Sequence, residues 1–222
     1  MDRPVRGLSL VELLVGLALG MLVVAAAITL LSAQTREQRS AGAELRLMQE
    51  LRATADLVAR DLRRACHWGD PAVALWAWSA SAPVGNPYAA LAPLAAASGA
   101  ASYAYSRDAA ENHRLDANEQ FGLRLRNGVL ELQLGSAGWQ ALSDPASVTI
   151  TAFELRPRLQ EVSLLGHCAN PCPPGATCNV RLQARSLAIR LSARAAADPS
   201  VQRQLEAEVR LRNPVPIGAC PA

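Results

Sequence analysis

Hydrophobic and polar positions follow three different rhythms along this chain. From Leu8 to Leu31 there are 24 residues, and Glu12 is the only ionisable one. As a helix rising about 1.5 Å per residue the run spans roughly 36 Å, against a hydrocarbon core of about 30 Å, so its length predicts a membrane span. Further on, Leu45, Met48, Leu51, Ala55, Val58 and Leu62 recur at three- and four-residue spacing, with Arg46, Glu50, Arg52, Asp56, Arg60 and Asp61 on the other faces. That stripe predicts an amphipathic helix packed on the protein's own core. No proline occurs between Pro4 and Pro71, so the two runs are expected to form one helix from about Ser9 to Ala65. It would be roughly 85 Å long, with Gly42 able to loosen the junction. Gly69 and Pro71 forbid its continuation.

The second half of the chain alternates with period two. Phe121, Leu123 and Leu125 alternate with Gly122, Arg124 and Arg126, Asn127-Gly128 follows, and Leu130, Leu132 and Leu134 resume the pattern. Asn-Gly between alternating runs predicts a hairpin, because both turn positions need positive φ. Further strands are expected at Trp139–Leu142, at Ser147–Leu155 with one change of phase that suggests a bulge, and at Val180–Leu191 with a slip between Ala184 and Leu187. The last strand turns Leu205, Ala207, Val209 and Leu211 inward and Glu206, Glu208, Arg210 and Arg212 outward. One apolar and one charged face predicts an antiparallel sheet covered on one side, with the long helix as the cover. Residues 70–100 are rich in alanine and proline, with Trp76, Trp78 and Tyr88 interleaved, and read as an irregular wrap.

Charge adds direction. Arg3 and Arg6 precede the apolar run with little to oppose them, so that flank should stay cytoplasmic and the bulk of the chain should face the periplasm. A net charge of +3 is too mild to argue for nucleic acid, and the arginines between Arg181 and Arg212 alternate as a solvated strand face would. All 22 basic residues are arginine, which excludes a Walker-type phosphate loop, a Ser-x-x-Lys nucleophile and a Schiff-base lysine.

Candidate chemistry is sparse. Of five cysteines, Cys168, Cys172 and Cys178 sit in a Pro-rich loop beside His167, while Cys66 and Cys220 lie far apart. The spacing is not that of a paired zinc set, and an oxidising compartment favours disulfides, with one thiol of the five left over or bonded to a partner and the pairing open. Asp108, Asn112, Asp116 and Glu119 echo positions one, five, nine and twelve of a calcium loop, but Ala110 and His113 stand where a ligand and a glycine are wanted, and a polar surface loop is the better account. His67, His113 and His167 lack any HExxH-type companion, so neither a metal nor another cofactor is expected, and no enzyme activity.

Glu12 then needs a reason. Gly7-Leu8-Ser9-Leu10-Val11-Glu12 resembles the class III signal of type IV prepilins, in which a glycine precedes an apolar first mature residue and a glutamate stands at mature position five. The resemblance implies cleavage between Gly7 and Leu8, N-methylation of Leu8 and an assembly role for Glu12. The Asp61-Leu62-Arg63 stretch running to Gly69, and the closing Val209-Arg210-Leu211-Arg212-Asn213, resemble PilW-type minor pilins, which commonly carry glycine and tyrosine where this chain has Cys66 and His67. It implies an α+β, type IV pilin-like fold, a long N-terminal membrane-spanning helix packed on an antiparallel β-sheet. Residues 1–7 would be leader, 8–31 the transmembrane half of the helix, 32–66 its periplasmic half and 67–222 a periplasmic head. It further implies residence in the inner membrane and then in a fibre or its tip. The implied partners are other minor pilins, the major pilin, the prepilin peptidase and the inner-membrane assembly platform. A J-type minor pseudopilin of type II secretion and a pilus-tip adhesin or DNA-binding subunit are the alternatives.

Overall fold

A single helix, α1, runs unbroken from Leu10 to Leu62 in the computed structural model, which describes residues 9–71, 85–218, 220 and 221. The leader and the Gly7–Leu8 junction lie outside the described residues, as do Trp76, Trp78 and Pro83. Its 53 residues span about 80 Å, and Gly42 leaves the helix intact. The end comes three residues before the expected Ala65. Cys66 takes a left-handed φ of 63°, and its N–H leaves the helix to bond Ala104 O at 2.7 Å. A left-handed residue past the last turn is the usual stop, so Cys66 does the work the sequence pattern gives to Gly69 and Pro71.

The buried stripe of α1 is Leu47, Leu51, Thr54, Ala55, Val58 and Leu62, with Met48 half-buried beside it. Leu45 does not belong to it and is 65% exposed. Two positions separate Leu45 from Leu47, about 200° around the helix, so only one of them can face the core.

The strands make two antiparallel sheets, where the pattern suggested one. The first contains β1 (Leu91–Ala92), β2 (Ala100–Ala104), β3 (Gln120–Arg126), β4 (Val129–Leu134) and β5 (Trp139–Ala141), in chain order. The β3–β4 hairpin turns on Asn127 and Gly128 at φ of 52° and 77°, as the Asn-Gly pair requires. The second contains β6 (Val148–Ser163), β7 (Arg181–Ala195) and β8 (Gln202–Arg210), with β9 (Val215–Ile217) also on β7. Their seam is narrow. Ile150 N donates to Gly128 O, and Ser98 and Leu155 exchange both backbone bonds. A register shift between Ile150 and Ala152 is the bulge that the phase change predicts. The slip expected between Ala184 and Leu187 is absent. Pairing with β6 runs on without interruption, and Arg185 simply takes an inward position.

The helix lies against β7 and β8. Arg203 at the start of β8 pairs with Glu44, and Asn213 beyond its end donates to Cys66 O. Ten strand residues cover about 33 Å and 22 helical residues cover the same, so strand and helix run parallel and matched in length. Leu187, Ile189, Leu191 and Val209 from this sheet meet Phe121, Leu123 and Leu130 from the other around the α1 stripe in one core. Each large side chain there contributes about 1.5–3 kcal/mol by leaving water. Leu51→Ala should cost about 2–5 kcal/mol, whereas Leu45→Ala should stay within about 0.5 kcal/mol, read from thermal unfolding of the full chain in detergent.

Candidate functional site

The N-terminal end of α1 is built by two side chains. Ser9 Oγ accepts the Glu12 N–H at 3.2 Å, and Glu12 Oε2 accepts the Ser9 N–H at 3.4 Å. This reciprocal capping box satisfies two of the donors a helix start leaves unpaired and places a carboxylate at its positive end. One carboxylate has about four acceptor sites, so Glu12 retains capacity for a further donor. Its signal, Ser-x-x-Glu before an apolar run, was present in the sequence and is a second reason for the acid at this position.

Every residue from Leu10 to Ala41 is exposed, including the whole apolar run. This stretch of α1 is long and apolar enough to cross a membrane. A shallow furrow follows one side, lined by Leu17, Gly20, Met21, Val24, Ala25 and Ile28. Nothing lies within 4 Å of where side chains of Gly16 or Gly20 would project, so another backbone has room to come close there.

The docked half is clamped at both ends. Near its start Arg203 Nε donates to Glu44 at 3.0 Å, and that hydrogen bond holds the Glu44 carboxyl below the usual carboxylate range. Near its end Asp61 accepts the hydroxyls of Tyr103 and Tyr105, the latter at 3.1 Å. Tyr105 stacks on Phe121 with centroids 3.9 Å apart, under the Arg64 guanidinium. Cys66 O accepts side-chain amides from both Asn86 and Asn213 at 2.9 Å. A smaller cluster of Trp68, Tyr88 and Ala104 adjoins it, tied by Glu111, which accepts Gly69 N–H at 2.9 Å and Tyr88 O–H at 2.8 Å.

The calcium-like residues serve this loop. Glu119 is buried and accepts the Arg107 and Asp116 N–H groups, and Asn112 Nδ2 donates to Asp116. Their oxygens are engaged within the chain. Among the described residues no group of three or more His, Cys, Asp or Glu is arranged to hold a metal.

Cys168 pairs with Cys220 and Cys172 with Cys178, beyond the C-terminal end of α1 and so at the opposite end of the head from the apolar run. Cys66, also a disulfide candidate, remains a buried thiol. The reason is position, because it is enclosed at the helix end while the other four meet in and around one loop. Several arginines pair within the sheet. Arg190 pairs with Glu206, Arg158 with Glu208 and Arg181 with Glu161. Arg185 is buried.

Two measurements follow from these geometries. Without reductant, the native chain should take up no alkylating label and the denatured chain one per molecule, with five after reduction. Burial and then the Asp61 carboxylate push the Tyr105 hydroxyl up to about 12. The folded chain thus keeps a proton that the unfolded chain loses above about pH 10, and stability should fall as pH rises from 10 towards 12. Tyr105→Phe should flatten that loss in chemical unfolding at alkaline pH.

Comparison with known proteins agrees with this geometry at both ends of the helix. Residues 2–28 match the prokaryotic N-terminal methylation motif, and residues 40–211 match the family described as prepilin peptidase-dependent protein B. No curated protein and no solved structure matches the chain. The second match covers well over half of the sequence and takes in the docked half of α1 and strands β1 to β8, and the chain therefore belongs to the prepilin peptidase-dependent protein B family, a pilin-like protein of prepilin type.

Proposed function

We propose that this chain is a minor pilin of the PilW type, built into a type IV pilus or the complex that starts one, and that it acts by assembly without catalysing a reaction. The observation that carries this reading is the division of α1 into a bare apolar half and a docked half. An apolar helix that its own head leaves uncovered is stable in lipid or against other apolar helices, and moving between the two is what a fibre subunit must do.

Cleavage after Gly7 would create an amino group on Leu8, four residues before Glu12 in the sequence. Ser9 would become the second residue of the mature chain, so the capping box survives the cut. Glu12 then offers its remaining acceptor capacity to the amino group of its own or a neighbouring subunit, which sets axial register during insertion. The bare Gly16 and Gly20 positions allow a neighbouring helix to pack closely. The prepilin peptidase, other minor pilins, the major pilin and the inner-membrane platform are the partners, and the head faces the periplasm.

Mass spectrometry of the protein from its host should find Leu8 as a methylated N-terminus, and an intact Met1 or a cut near Ala33 would refute the leader. Glu12→Ala should leave thermal unfolding of the head within about 0.5 kcal/mol while reducing surface fibres severalfold. Deletion should abolish twitching. Loss of protein secretion with twitching intact would assign the chain to a type II pseudopilus instead.

A further inference from the structure

The inward arginine of β7 has no use in the assembly reading. Arg185 is 5% exposed, and its Nη1 donates to Ala89 O at 3.3 Å. Its Nε and Nη2 atoms are buried with no partner among the described residues. These two nitrogens lie along one edge of the guanidinium plane, the fork that takes two oxygens of a planar anion side by side. A buried charge left unpaired is strongly destabilising, so an orphaned fork in the interior calls for an acceptor.

Among the described residues the surrounding carboxylates do not supply one. Glu161, two residues along the same face of β6 from Leu159, is already shared by Arg181 at 3.3 Å and Gln183 at 3.1 Å. Asp61 is taken by the two tyrosines, and Cys66 O by the amides of Asn86 and Asn213. The Cys66 thiol hydrogen-bonds with Arg185 and shares Ala89 O with it, but burial pushes its pKa up, so it stays neutral and brings no charge. Among the described residues of β6 and β7 on this inner face, Arg181 and Arg185 thus stand against Glu161, an excess of one positive charge. Leu159, directly across the strand pair from Arg185, is 46% exposed, so the facing strand position reaches solvent.

We propose that Arg185 binds a small planar oxyanion of the carboxylate class, held by its Nε–Nη2 edge between the end of α1 and the distal part of β7. The full-length chain in detergent tests this through thermal unfolding in sodium acetate, sodium nitrate or sodium chloride at equal ionic strength. Acetate and nitrate fit the fork and should raise the melting temperature saturably, by about 3–6 °C once tenfold above the dissociation constant, whereas chloride should not. Arg185→Lys keeps the charge without the fork and should lose the response, and Arg158→Met, on the outer face, should keep it. Equal melting temperatures in the three salts for the wild-type chain would overturn the proposal, as would an undiminished acetate response in Arg185→Lys.

Discussion

Everything in this molecule depends on one helix being acceptable to two surroundings. A helix satisfies its backbone within itself, so the same α1 can leave an apolar phase and continue along a folded head without changing its hydrogen bonding. Only the side chains change, from an unbroken apolar run to a stripe facing β7 and β8. The ends need separate solutions. Ser9 and Glu12 satisfy the start with groups on the helix itself, so that end needs nothing from the head. The other end is satisfied by the head, through Asn86, Asn213 and the Ala104 carbonyl at Cys66.

Much of this was legible in the sequence because it rests on local rules. The Asn127-Gly128 turn, the bulge after Ile150 and most of the α1 stripe follow from φ preferences and periodicity, which neighbours in sequence settle among themselves. The assembly role proposed for Glu12 came from its place after Gly7, while its capping role rests on Ser9 three residues earlier. What could not be read depends on partners far away. Leu45 carries an apolar side chain at a plausible spacing, and only the position of β8 shows that Leu47 faces the core instead. The division into two sheets hangs on the short β5 and on where β6 finds its partner.

Arg185 and the cysteines show the limit from another side. An alternating strand with an arginine on its apolar face reads as a slipped strand, since pattern alone counts an inward charge as an error. The register shows no slip, so the exception belongs to the residue and not to the backbone. With five cysteines the pairing was open as well, because a bond between Cys168 and Cys220 needs the terminus folded back past β9 onto the loop that precedes β7.

That last bond has a mechanical meaning. Cys168 and Cys220, 52 residues apart, enclose β7, β8 and β9 in a covalent ring, and β7 and β8 are the strands that grip α1. A pull along α1 loads the head through the Glu44–Arg203 pair and the packed stripe, and reaches those strands first. Peeling a strand from a sheet one hydrogen bond at a time is far easier when it has a loose end. The ring removes the loose end on the C-terminal side, so tension on the helix must break the β7–β8 pairing and its neighbours together rather than in sequence.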